Sequence, residues 1–234
     1  PGGGLLVNGS ELLIGAGSNA FFVNIETGEQ IAKVALGCKM SDITGFAVSS
    51  DKTLAYFGAA SGYIGAVDLT THTAKTPLLA GTTNPNTIYE PVVAPNGSIF
   101  AGSKNGSVYN VKGDLSAVNW EHVHTGKAVN NTYNYSHPCV DSENRFYITA
   151  GQTTNTSYIF DAEGRVLDSW SYTGTTAAAQ RQMGGNNYLD GVFYSAFIGN
   201  GDQNGMFVGK YVGGERASSW STHGGDICGS CCVK

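Results

Sequence analysis

Turn signals recur along this chain at nearly constant intervals, and the runs between them have the composition of strands. Asn8-Gly9, Ser50-Asp51, Asn96-Gly97, Glu143-Asn144 and Asp190-Gly191 each mark a short hairpin. Counted from Asn8 through Asp51, Asn96, Asn144 and Asp190, they lie 43, 45, 48 and 46 residues apart. Asn-Gly and Asp-Gly supply the positive φ that a tight hairpin demands. The clearest copy is YEPVVAPNGSIFAGSKNGSVYNVKGDLSAVNW, residues 89–120. PVVA runs into Pro95-Asn96-Gly97, SIFAG into Lys104-Asn105-Gly106 and SVYNV into Gly113-Asp114, and AVNW closes the unit. Four short runs rich in β-branched and aromatic residues therefore follow one another as a meander. A single four-stranded sheet cannot bury both of its faces, so it needs neighbours. The rest of the chain supplies copies.

The copies cover residues 5–36, 46–79, 89–123, 137–173 and 185–222, and a cysteine-rich tail follows at 223–234. A period of this size built wholly of strands is the sequence sign of a β-propeller. The expected fold class is therefore all-β: a β-propeller of four-stranded antiparallel blades over residues 1–222, with about five repeats visible. Five repeats fit a five-bladed ring, or part of a larger ring whose additional blades lie outside this chain. The start at Pro1 leads us to expect a mature form or a piece of something longer. Trp120, Trp170 and Trp220 are spaced 50 residues apart, each in the last strand of its unit, and are expected to pack between neighbouring blades.

The segment from Val92 to Trp120 resembles the pyrroloquinoline-quinone (PQQ)-type, quinoprotein-like propeller repeat, as does YIFDAEG, residues 158–164, leading to Trp170. FVNIETG at 22–28 and AVDLTT at 66–71 are similar to the A-L-D-x-x-T-G segment of that repeat. The resemblance covers most of the chain and implies a scaffold. Its enzymes hold PQQ with calcium beside a catalytic aspartate, and none of those residues can be matched here. PQQ with calcium belongs only to an alternative reading of this chain as an oxidoreductase or a fragment of one. Otherwise no cofactor is expected.

Composition removes some function classes. Charged residues are 13% of the chain and the net charge is −5, with the 13 basic residues scattered, which argues against a nucleic-acid partner. No apolar run approaches the roughly 18 residues of a membrane-spanning helix. No G-x-S-x-G, H-E-x-x-H, calcium-loop or Gly-rich phosphate motif occurs.

The links between repeats are GCKMSDITG (37–45), GTTNPNTIY (81–89), GKAVNNTYNYSH (126–137) and GTTAAAQRQMGG (174–185). Each joins an outermost strand to the next innermost one, so all gather on one face. Loops on a rigid scaffold often carry function, and amide and aromatic side chains suit polar, uncharged ligands. The candidate ligand-binding residues are Tyr89, Asn131, Tyr133, Tyr135, His137, Arg181 and Gln182. The bland alternative is that they cap turns. His122 and His124 share one side of an outermost strand and are expected to be wetted polar positions, so no metal site is assigned and no catalytic residue is named.

Five cysteines are present: Cys38 in the first link, Cys139 in an inner strand, and Cys228, Cys231 and Cys232 in the tail. All five are disulfide candidates, the tail pair Cys228 and Cys231 most directly by spacing, and an odd count leaves one thiol over. Low charge, abundant Thr and Asn and these cysteines point to an extracytoplasmic protein: periplasmic, cell-surface or secreted. Sequons start at Asn8, Asn96, Asn105, Asn130, Asn134 and Asn155, and the last three sit outside the Asn-Gly turns. The expected function is a non-catalytic recognition or assembly scaffold binding a protein or polysaccharide across the inter-blade loops. The alternatives are the quinone-dependent oxidoreductase and a secreted structural protein assembling through blade edges and the Cys-rich tail.

Overall fold

The computed structural model describes residues 4–41, 44–81, 86–104, 106–123, 134–135, 138–151, 154–173, 186–189, 192–197, 205–210 and 232–233. Among them the chain is all-β, with one short 3-10 turn at Ala60–Gly62. The first sheet is β1 (Leu5–Asn8), β2 (Glu11–Ala16), β3 (Asn19–Asn24) and β4 (Gln30–Ala35). The second is β5 (Ala47–Val48), β6 (Leu54–Gly58), β7 (Tyr63–Asp68) and β8 (Thr73–Ala74), with β9 (Leu78–Leu79) also on β7. The third is β10 (Val92–Val93), β11 (Ile99–Gly102), β12 (Ser107–Val111) and β13 (Val118–Val123). In the fourth, β14 (Asn134–Tyr135) and β15 (Cys139–Val140) both pair with β16 (Phe146–Gly151), followed by β17 (Thr154–Phe160) and β18 (Val166–Thr173). The fifth is β19 (Asn186–Leu189), β20 (Val192–Phe197) and β21 (Gly205–Lys210). β22 (Cys232–Val233) runs parallel to β1, with Val7 opposite Cys232.

Each sheet is an antiparallel meander in chain order, as the turn signals require. Two departures from the repeat occur, and the first has a plain physical cause. The last strand of the second unit is broken into β8 and β9 around Pro77, which has no N–H to give a ladder. The third link contributes β14, which pairs Asn134 with Gly151 and Tyr135 with Ala150. Between the third and fourth strands the register shifts at Phe22/Val23, Asn110/Val111 and Ile159/Phe160, a bulge repeated at one place in three sheets.

Sheets pack face to face in sequence. Leu6, Leu13, Ala20 and Phe22 of the first meet Phe46, Val48, Phe57 and Val67 of the second. Tyr56, Ile64 and Ala66 of the second meet Val93, Ile99, Tyr109 and Val111 of the third. Phe100 and Val108 of the third meet Val140, Phe146, Ile148 and Phe160 of the fourth, with Phe100 stacked on Phe146 at 4.5 Å between ring centroids. Middle strands such as β11 and β12 are buried on both faces, whereas the outermost β13 alternates between half-buried and exposed.

Polar ties cross each of these packed interfaces. The His72 ring and the Glu11 carboxylate are 3.0 Å apart. Tyr56 donates its hydroxyl to the Gly113 carbonyl at 2.8 Å, and Trp120 donates its indole N–H to the Ala162 carbonyl at 2.9 Å. Trp120 also lies against Phe100 and Phe160 and over Gly164, so it packs between the third and fourth sheets. The Trp170 side chain and Trp220 lie outside the described residues.

Candidate functional site

An antiparallel meander puts its first and third turns at one end and its second turn, with the link to the next sheet, at the other. The described links follow this. Met40 N–H bonds to the Gly17 carbonyl, Ile88 N–H to Ala59 and Lys104 N–H to Thr87. We call these the turn end and the link end.

At the link end, Tyr89 is buried, its ring in the cluster with Val92 and Phe100, and its N–H bonds to the Gly102 carbonyl at 2.9 Å. Burial pushes its phenol up to about 12. This is a packing position. Tyr135 is placed by its backbone in β14, not in an open loop. Asn131, Tyr133, His137, Arg181 and Gln182 lie outside the described residues. Glu90, absent from the candidate set, is buried with its carboxylate against Gly45, while the neighbouring Thr44 hydroxyl accepts from Gly58 N–H at 2.9 Å.

The other buried carboxylate among the described residues, Asp141, sits at the turn end of the fourth sheet. Its Oδ1 accepts the N–H groups of Glu143 and Arg145 at 3.0 and 2.9 Å. Its Oδ2 accepts Arg145 Nε at 2.7 Å and the Tyr147 hydroxyl at 2.8 Å. Burial disfavours the Arg145 cation, but the hydrogen bond and charge of Asp141 outweigh it and raise its pKa. Glu90 and Asp141 thus lie at opposite ends of neighbouring sheets and cannot share a proton or a cation. A calcium ion beside a quinone would need acidic and amide donors converging at one end. The described residues do not assemble that set, and Asp42 lies outside them.

Cys38 and Cys139 are thiols, not disulfides. Burial pushes the Cys38 thiol up to about 11, which keeps it protonated at neutral pH. Cys139 is buried within β15. Cys228 and Cys231 lie outside the described residues, and Cys232 is placed by its backbone in β22. His122 differs from its expected wetted position. Its ring sits 5.3 Å from that of Tyr158 and 4.9 Å from that of Phe160, and burial lowers its pKa. The long side chains of the fourth sheet reach over β13, which a single-strand pattern cannot show. His124 is outside the described residues.

The turn end of the third sheet carries an open cavity of about 470 Å³ lined by Asn96, Gly97, Ser98, Lys112, Gly113, Asp114 and Asn119. A chain of side-chain hydrogen bonds runs along its wall. Asn119 Nδ2 donates to Asn110 Oδ1 at 2.6 Å, Asn110 Nδ2 to Ser98 Oγ at 3.0 Å, and Ser98 Oγ to Asn96 Oδ1 at 2.7 Å. The Asn96 N–H in turn donates to Asn144 Oδ1 of the fourth sheet at 2.8 Å. The Ser116 hydroxyl and N–H beside Asp114 hold its carboxyl below the usual range, so it is ionised opposite Lys112 and the two charges offset. Sequence reasoning pointed to the link end and missed this place. Its signal was present in the two turns Pro95-Asn96-Gly97 and Gly113-Asp114, whose shared end makes them neighbours.

No family model matches the chain, and no curated protein matches it. Solved structures do. The crystal structure of the computationally designed Ika8 protein aligns with a TM-score of 0.60 over 89% of this chain, at 17% identity. The chain spans 57% of the length of that protein. In all, 1200 solved chains match, and at this identity the likeness shows the fold alone. Among the described residues no helix is long and apolar enough to cross a membrane.

Proposed function

We propose that the chain is a non-catalytic recognition scaffold in which the five sheets are blades of a β-propeller, and that it binds a polar, uncharged polymer of the polysaccharide class. The observation that supports this most is the amide-walled cavity at the turn end of the third sheet. Asn96, Ser98 and Asn119 offer donors and acceptors together, as hydroxyl-rich ligands need, and they are held in place through Asn110. No residue lining the cavity has an apolar side chain, so a peptide would find no anchor pocket there. The low charge and the many Thr and Asn residues agree with an extracytoplasmic setting for such an encounter. The consecutive meanders and their face-to-face packing support the propeller reading, and the repeat resemblance is consistent with it.

Native electrophoresis in gels containing neutral polysaccharides tests this reading. The expected result is retardation of the wild-type protein by at least one polymer, lost in Asn119→Ala, whose side chain is exposed. Migration unchanged by every polymer would remove the ligand class.

A further inference from the structure

The third sheet departs from the first and fourth at one pair of positions. The bulge between the third and fourth strands leaves one residue of the outermost strand unpaired: Ile31 in the first sheet, Asn119 in the third and Leu167 in the fourth. The third-strand residue at which the register shifts is Phe22, Asn110 and Ile159 in turn. Phe22 and Ile159 are fully buried, and Asn110 is only 1% exposed. An amide therefore stands in the core where the other two sheets bury an apolar side chain, and a second amide stands at the bulge where they expose one. Burying an amide in place of hydrocarbon costs stability unless its hydrogen bonds are made, so packing alone gives no reason for the pair.

One backbone group fixes the direction of the bonds around Asn110. The Ser98 N–H can only donate, so the Asn96 atom it meets at 2.9 Å is Oδ1. The Ser98 hydroxyl gives its single proton to the same oxygen. Its Oγ is left to accept, which turns Asn110 Nδ2 toward it. Asn110 Oδ1 then takes an N–H of Asn119. What is left over differs at the two ends of the chain. Asn96 Oδ1 already accepts twice, so that end offers Nδ2 as a donor. At the other end Asn119 Nδ2 is engaged and its Oδ1 is the acceptor on offer. Both side chains are exposed and line the cavity.

We propose that Asn110 sets the specificity of this site. By taking an N–H of Asn119 it leaves Asn119 Oδ1 to receive a proton from the ligand, so the site selects polysaccharides with free hydroxyls over the same polymers with those hydroxyls alkylated. A methylated oxygen still accepts from Asn96 Nδ2 but has no proton for Asn119 Oδ1, which then loses its partner. Asn110 is buried behind the cavity wall and acts through Asn119, as a positioning residue. The proposal rests on the polysaccharide reading and narrows the ligand class within it.

Native electrophoresis of the full chain tests it, in gels carrying dextran, galactomannan or xyloglucan, each beside its O-methylated form. The expected result is retardation by at least one free polymer, with affinity about tenfold or more weaker for its methylated form. Asn110→Leu gives the third sheet an apolar residue where the first and fourth have one. It should lose the preference while keeping its melting temperature, which an amide with a purely structural role would not do. If Asn110→Leu does not fold, Ser98→Ala cuts the same chain one bond away, and Ser98→Thr, which keeps the hydroxyl, should retain the preference. Equal retardation by free and methylated polymers, or a preference unmoved by Asn110→Leu and Ser98→Ala, would overturn the proposal and leave the polysaccharide reading standing. No retardation by any polymer would overturn both.

Discussion

The fourth sheet contains the same turn twice, and only one copy is buried. Asp141-Ser-Glu143-Asn-Arg145 and Asp161-Ala-Glu163-Gly-Arg165 share the D-x-E-x-R pattern. In both, Oδ1 of the aspartate accepts the N–H groups two and four residues on, and Oδ2 accepts the arginine Nε, at 2.7 Å in one and 2.6 Å in the other. The side chains of Asp141 and Arg145 are 0% and 11% exposed, whereas Arg165 is 76% exposed. Near-identical local geometry therefore carries different weight. In the first turn a lost partner strands a charge away from water, and in the second water already solvates the guanidinium.

Substitution separates the two. Asp141→Ala should destabilise by about 3 kcal/mol, because it removes the buried carboxylate from Arg145, whose guanidinium keeps the exposed Glu143 at 2.8 Å, and takes this acceptor from the Tyr147 hydroxyl. In a thermal melt that corresponds to a fall of roughly 10 °C for a domain of this size. Asp161→Ala should cost only a fraction as much in the same assay, and equal losses would break the comparison. The exposed turn has its own weight where it touches the next sheet. Gly164 has φ +86° and lies against Trp120, so Gly164→Ala should cost about 1–3 kcal/mol through strain and overpacking. That ordering, glycine above carboxylate, is reversed from a turn held by its ion pair.

Two smaller effects depend on pH. Burial lowers the His122 pKa in the folded chain, so the unfolded chain binds the proton more readily. Stability conferred by neutral His122 is full above the ordinary imidazole value of about 6.5 and declines as pH falls below it. Melts between neutral and mildly acidic pH should show that slope in the wild type and a flatter one in His122→Phe. Burial alone would raise the Asp161 pKa, but the Arg165 N–H and guanidinium hold it below the usual carboxylate range. Its contribution is therefore present above about pH 3.9 and lost as pH falls through the lower folded value. The smallest change is expected at Asp68, whose Oδ1 accepts the Thr70 and Thr71 N–H groups at 2.9 and 2.8 Å. Asn24 makes the same two bonds in the first sheet. Asp68→Asn should therefore shift stability by no more than about 0.5 kcal/mol at neutral pH and flatten the acid limb of the melts.

Much of the local structure was legible because it is local. Asn8-Gly9, Asn96-Gly97, Asp68 at the end of β7 and Asp161 just after β17 fix their turns through φ and side-chain bonds that span only a few residues. Trp120 was legible as a packing residue through its spacing. What depends on the neighbouring sheet was not. The burial of Tyr89 and His122 is decided by residues some tens of positions away, such as Phe146 and Tyr158. The D-x-E-x-R echo stood in the sequence, but nothing local says which copy the fold encloses. The amide-lined cavity arises between two turns about 17 residues apart that a meander brings to one end.

Isothermal titration of the full chain with neutral oligosaccharides decides whether the amides around Asn119 recognise a hydroxyl-rich ligand. The expected result is saturable heat for at least one oligosaccharide, weakened about tenfold or more in Asn119→Ala with the melting temperature retained. Heats no larger than dilution across the series, or binding untouched by Asn119→Ala, would contradict it.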